Sequence, residues 1–276
     1  MNKGISQELY KYMSAEVCCK VLESGKLRFS SPLLFNDPFD VVRYPLGSLD
    51  FKRFSSEILK YLQTDYVEGK RDISELIEPL HKVVIEAQKK GIKLTDLLIN
   101  EEKIIKQLCD NWENQIKKTR ILCLSQIKDN IALWYHYADQ YSGVVVSFDK
   151  LDEINGVANN SLRKINYKNE LDGNSYKFWH DYFLIKESNI LDNIFYEKYH
   201  CWNYEKEVRI VTRVENLNDD QLYSYFEIKK QIKSVYFGPK INDQKKNKLI
   251  ALIRDKYPKV KIYQVKIRHV LEFDKL

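Results

Sequence analysis

The run Trp202-Asn203-Tyr204-Glu205-Lys206-Glu207-Val208-Arg209, continued by Ile210-Val211-Thr212, decides how this chain is read. It sets three charged groups at the edge of an otherwise apolar, aromatic strand. Successive side chains of a strand point to opposite faces, so Glu205, Glu207 and Arg209 share one face while Tyr204, Val208 and Ile210 take the other. A solvated edge strand would carry such a face; so would a catalytic centre. Two further segments favour the second reading. Phe35-Asn36-Asp37-Pro38-Phe39-Asp40 and Asp129-Asn130-Ile131-Ala132-Leu133-Trp134-Tyr135-His136-Tyr137-Ala138-Asp139 wedge polar groups between large aromatics. That arrangement is expensive unless the polar groups are hydrogen-bonded or used.

The chain of 276 residues is long enough to bury a full core. Its 44% hydrophobic and 30% charged content excludes an intrinsically disordered chain. Forty-five basic against thirty-nine acidic residues leave a net charge of +6, spread along the chain, which admits an anionic ligand without demonstrating nucleic-acid binding. No apolar run is long enough to span a bilayer, and the opening Met1-Asn2-Lys3-Gly4 has no apolar signal core. No membrane partner and cytoplasmic residence are therefore expected. The cysteines Cys18, Cys19, Cys109, Cys123 and Cys201 are odd in number and lack a C-x-x-C pair, so they are expected to be reduced and mostly buried, with no zinc site. Neither G-x-G-x-x-G nor a P-loop occurs.

Along the chain, Leu9-Tyr10-Lys11-Tyr12 alternates as a strand, and Ser14 can cap a helix over Ala15 to Ser24 whose stripe is Val17, Cys18, Val21 and Leu22. Gly25 ends it, Leu27 to Ser30 reads as a second strand, and Pro32 and Pro38 frame a rigid loop. From about 51 to 120 the period becomes helical, in stripes through Leu76, Ile77, Leu80, Val83 and Val84 and through Leu97, Leu98, Ile104, Ile105, Leu108, Trp112 and Ile116. Strands are expected at Ile121 to Ser125, Gly143 to Asp149, around Tyr167, Tyr223 to Ile228, Ile232 to Phe237, and last at Val260 to Ile267. Helices are expected in the Asp129 box, from about Lys177 to Asn193, and after a cap at Asp243. The sum is one α+β domain spanning 1–276, with a mixed, mainly antiparallel sheet and a helical insertion at about 51–120.

These boxes in this order resemble a bacterial family catalogued as domain of unknown function 2971: the Leu9 and Leu27 strands, the Asn36-Asp37-Pro38 loop, Cys123-Leu124-Ser125, the Trp134 to Asp139 box with Gly143, the Trp202 to Arg209 run, and Ile232 to Gly238. That resemblance names no activity. The order of elements also resembles, more weakly, an ADP-ribosyltransferase core. This second resemblance implies NAD as the nucleotide ligand and no metal. It places Lys11 and Tyr12 on the first strand, with Lys11 where a His or Arg is usual. It also puts Ser125 at the second motif, Tyr137 on the trailing helix, and Glu205-Lys206-Glu207 as the acidic element. The implied function is an NAD-dependent ADP-ribosyltransferase or NAD glycohydrolase, an intracellular effector of toxin or phage-defence type, with a protein or nucleic-acid acceptor that the sequence does not name.

Breaking the nicotinamide glycosidic bond generates an oxocarbenium-like centre that a carboxylate can stabilise. Glu207 is the choice for that role, with Glu205 to orient or deprotonate an acceptor. Arg209 would hold Glu207 ionised or grip a phosphate. The alternative is a structural ion pair between Glu207 and Arg209. Asn36, Asp37, Trp134 and His136 are further pocket candidates, each with a plainer reading. Asp37 can close a local capping turn before Phe39, His136 can sit at a rim, and Trp134 can simply pack. A noncatalytic nucleotide or nucleic-acid binding module remains the other function class.

Overall fold

In the computed structural model, residues 8–41, 89, 110, 112–157, 161–171, 193–214 and 221–276 are described. The chain divides into two compact units, Met1–Asn36 with Lys118–Tyr167 and Lys198–Leu276, and Asp37–Lys117 with Lys168–Glu197. The fold is mixed α+β with a mostly antiparallel sheet.

In the first unit the sheet grows outward from β1 (Leu9–Met13). On one side lie β4 (Val144–Phe148), β10 (Ile232–Phe237), β11 (Lys261–Ile267) and β12 (Leu271–Lys275). On the other stand β3 (Thr119–Ser125), β2 (Lys26–Ser30) and β9 (Tyr223–Glu227). β3 also carries β8 (Glu207–Arg213), which in turn pairs with β5 (Leu162–Lys164). A separate ribbon joins β6 (Asn166–Lys168) to β7 (Glu197–Tyr199). Charged β8 is therefore flanked on both edges, and its Glu207 and Arg209 are buried. The solvated-edge reading fails for that reason.

Helix α1 (Ala15–Ser24) starts where the Ser14 hydroxyl accepts from the Val17 amide and stops at Gly25, whose φ of 68° only glycine adopts freely. It buries Ala15, Cys18, Val21 and Leu22 against one sheet face, together with Leu249 and Ile253 of α3 (Asp243–Lys256). Val17, expected in that stripe, is 47% exposed, because the buried arc needs only the other four positions. The α3 cap is Asn242, not Asp243: its side chain accepts from the Gln244 and Lys245 amides. The opposite face presents Tyr10, Tyr12, Val145, Tyr236 and Val265 to Leu133 and Trp134 of α2 (Ile131–Tyr137), with Tyr12 edge-on to Trp134 at 5.6 Å.

Two glycines let backbones meet beside α2. A Cβ on Gly143 would collide with the Met13 carbonyl and lie 2.7 Å from the Ala138 carbonyl. One on Gly238 would collide with the Tyr141 carbonyl and lie 2.8 Å from that of Gly143.

The expected strands of the first unit are present, but β5, β7 and β12 are not among them, and Ile267 does not end the last strand. Most of the expected insertion at 51–120 lies outside the described residues. Residues 89, 110 and 112–118 are helical, whereas Thr119 and Arg120 already belong to β3. The expected helix from Lys177 to Asn193 also lies outside, apart from Asn193. In the second unit, Trp112 stacks on Phe195 at 5.9 Å, Lys168 pairs with Glu197 at 2.7 Å, and Asp37 accepts from the Phe39 amide at 2.9 Å. Among the described residues no helix is long and apolar enough to cross a membrane. Cys18 is buried, Cys19 and Cys123 are half-buried and Cys201 is exposed, so burial of the thiols is less general than expected.

Candidate active site

Register brings the polar residues of three strands together. Tyr10 stands opposite Ser125, and Ser125 opposite Glu207. Opposed residues share a face, which places Glu207 on the side that α2 covers. Glu205 reaches the same place by another route. It ends a 3-10 turn (His200–Glu205), and Lys206, with φ of 46°, swings the chain into β8. The expected single strand face of Glu205, Glu207 and Arg209 thus holds for the last two only.

The result is a network that includes two carboxylates and two cations. The Arg209 guanidinium donates from Nε to Glu207 Oε1 at 2.7 Å and from Nη2 to Oε2 at 3.2 Å. The Lys198 ammonium bridges the carboxylates, at 2.7 Å from Glu205 Oε2 and 3.1 Å from Glu207 Oε2. Tyr137 donates to Glu205 Oε1 at 2.9 Å, and the Tyr167 hydroxyl accepts from the Glu207 amide at 2.8 Å. Aromatic faces back both cations: Phe35 lies 5.5 Å from Arg209 and Trp202 lies 5.0 Å from Lys198. Glu205, Glu207 and Lys198 are each 5% exposed and Arg209 is 0% exposed.

Burial alone would push both carboxyls up. At Glu207 that push is overcome by Arg209 and Lys198, which hold the group well below the usual carboxylate range. At Glu205 burial wins over Lys198, and the neighbouring Glu207 charge adds to it, so the group is raised. Burial, with the Glu205 charge, also raises Tyr137, and burial raises Tyr167. Two carboxyls sharing one ammonium are displaced in opposite directions, the arrangement that lets one act as fixed charge and the other exchange a proton.

Backbone contacts fix the turn that holds Glu205. Ser125 donates from Oγ to the Glu205 carbonyl at 2.7 Å, and Asn130 both caps α2 at the Leu133 amide and donates to the Tyr204 carbonyl at 3.0 Å. Lys11 donates to the Cys123 carbonyl at 2.9 Å between the points where β3 meets β1 and β2, and alternation along β1 turns it to the face opposite Tyr10 and Tyr12. Thus Glu205, Glu207, Arg209, Ser125 and Tyr137 come together, and Lys11 is engaged by the β3 backbone instead. Tyr12 and Trp134 belong to the aromatic core, their polar atoms bound to the carbonyls of Ile127 and Lys128. Asn36 and His136 are exposed, and the His136 ring lies edge-on to those of Tyr135 and Tyr137. Asp37 forms the local turn its plainer reading anticipates.

Sequence reasoning missed Lys198 and Tyr167. The available signal was the one applied elsewhere, since Glu197-Lys198 is a charged pair wedged between Tyr196 and Tyr199. Among the described residues no group of three or more His, Cys, Asp and Glu side chains could hold a metal ion.

Residues 133–210 match the profile of a family described as a protein of unknown function (DUF2971). The matched segment runs from α2 into β8 and so contains Tyr137, Tyr167, Lys198, Glu205, Glu207 and Arg209. It stops short of the N-terminal boxes and of Ile232 to Gly238. No curated protein and no solved structure matches the chain.

Proposed function

We propose that this chain consumes NAD, as an ADP-ribosyltransferase or NAD glycohydrolase built on an ADP-ribosyltransferase-like core. The observation that carries the reading is the Glu205-Lys206-Glu207 element, whose two carboxyls share Lys198 but are shifted in opposite directions. In the reaction the bond between ribose C1′ and the nicotinamide nitrogen breaks, and its electron pair leaves with neutral nicotinamide. Glu207, held ionised, stabilises the positive charge left on the ribose. Water or an acceptor hydroxyl then bonds to C1′ and gives its proton to Glu205, a proton-exchange role suited to its raised pKa. Arg209 acts through Glu207, to which its Nε and Nη2 both donate. Ser125 and Tyr137, which touch Glu205, form the nucleotide-binding part of this reading; the same role for Lys11 and Tyr12, and a toxin or phage-defence role, rest on the resemblance alone.

A second reading has its own support. The hydrogen-bond partners of Glu205 and Glu207 already occupy both oxygens of each carboxylate, and the charges of Glu205, Glu207, Lys198 and Arg209 cancel when all four are ionised. Such a cluster can simply brace a noncatalytic nucleotide or nucleic-acid binding module. Incubating the wild-type protein with NAD and a cell extract, then identifying the products, separates these readings. ADP-ribose or an ADP-ribosylated macromolecule supports the enzyme; NAD binding without turnover supports the module.

A further inference from the structure

A second, positively charged site lies far along the sheet from the carboxylate network. β10 and β11 are the one parallel pair among the described strands, and α3 connects them. Open α/β units bind ligands in the crevice beyond the carboxyl ends of such strands. Here that crevice is a cavity of about 530 Å³, inside the size range of small-molecule sites.

Its lining is mostly basic. Lys240 from the loop after β10, Lys246 from α3, and Lys266 and Arg268 from the end of β11 line it, against the single carboxylate of Asp243. Among the described residues Lys246 and Lys240 bond no carboxylate, and Lys240 lies 5.4 Å from the Tyr141 ring. Lys266 pairs with Asp274 at 2.5 Å and Arg268 with Glu272 at 3.4 Å, both on β12 and both about half exposed. Exposed pairs of this kind are weak and readily exchanged for a stronger anion. The first amides of α3 are not part of the case, because Asn242 already takes those of Gln244 and Lys245. Ile241 offers an apolar wall, and Asp243 offers an acceptor that would repel a phosphate but suit a sugar hydroxyl.

We propose that this crevice binds a nucleoside diphosphate, with Lys240, Lys246, Lys266 and Arg268 on the phosphates and Asp243 on the ribose. The site is independent of the NAD-consuming reading. Titration calorimetry with ADP, inorganic pyrophosphate and adenosine tests it on the wild type, on the double variant Lys240→Glu/Lys246→Glu, and on Glu205→Gln. Both lysines of the double variant lie outside the hydrophobic core, so the fold should persist, and circular dichroism checks this. The expected result is ADP binding that weakens with added salt, falls about tenfold or more in the double variant, and is unchanged in Glu205→Gln. Adenosine and pyrophosphate should each bind more weakly than ADP. Absence of ADP binding by the wild type overturns the proposal. So does a smaller loss in the folded double variant, or a loss confined to Glu205→Gln, which would assign the nucleotide to the carboxylate network instead.

Discussion

Glu207 joins a guanidinium to an ammonium in a setting almost closed to solvent, so removing its charge takes the carboxylate from Arg209 and leaves Lys198 with Glu205. Breaking such a pair from one side costs about 3–5 kcal/mol. Glu207→Gln should therefore lower urea-unfolding stability by that order, and Lys198→Met in the same background should cost about 1–3 kcal/mol less than the two single losses added together. Strict additivity would mean that the contacts around Lys198 carry no coupling. The two carboxyls also predict opposite pH behaviour. The depressed pKa of Glu207 contributes stability that is present above the ordinary glutamate value of 4.5 and is lost as pH falls below it. The raised pKa of Glu205 works the other way: its contribution is complete below 4.5 and is lost as pH rises through the folded-state value. Unfolding measured across acid pH should show the wild-type advantage over Glu207→Gln shrinking toward low pH, while wild type declines relative to Glu205→Gln as pH rises. At this scale Glu207, Arg209 and the aromatic setting were legible from spacing. Lys198 carried the same signal of charge between aromatics, but its partners were not legible, because they depend on the turn between β7 and β8 and on no local period.

The elements that frame the network are set by short-range chemistry, and their failure modes differ. Asn130 satisfies the start of α2 and the Tyr204 carbonyl together, so Asn130→Ala should cost about 1–2 kcal/mol and also loosen the turn that ends at Glu205. Thermal melts give the cost, and the rate of amide exchange in residues 200–206 reports the loosening; protection unchanged there would refute the link. Gly143→Ala forces a methyl against two backbone carbonyls that cannot rotate away, and a loss of at least about 1–3 kcal/mol is expected by chemical denaturation. Alternation and caps revealed most of these elements in advance. β1, α1, β3, α2, β4 and β10 each carry either a clean period or a local stop signal. β12 escaped because Leu271-Glu272-Phe273-Asp274-Lys275 is short and polar, and it is held by pairing with β11. The cap of α3 slipped by one residue because Asn242 and Asp243 are both good caps, and only geometry chooses between them.

For the molecule as a whole, α+β class and a mainly antiparallel sheet followed from the sequence, since strands and helices kept distinct periods. Strand order did not, because β8 and β5 reach β3 through pairings distant in sequence. The candidate site depends on that order: Ser125, Glu207 and Tyr137 meet only when β3 separates β1 from β8 and α2 covers the same face. The measurement that tests the central claim most directly is the initial rate of nicotinamide release from NAD, compared between wild type and Glu207→Gln and expressed per folded molecule. The account predicts release by the wild type and a loss on the order of a hundredfold or more in the variant. Wild-type protein that neither binds nor consumes NAD with its cellular partners present would contradict the enzyme, and undiminished turnover by folded Glu207→Gln would contradict the placement of its chemistry at this network.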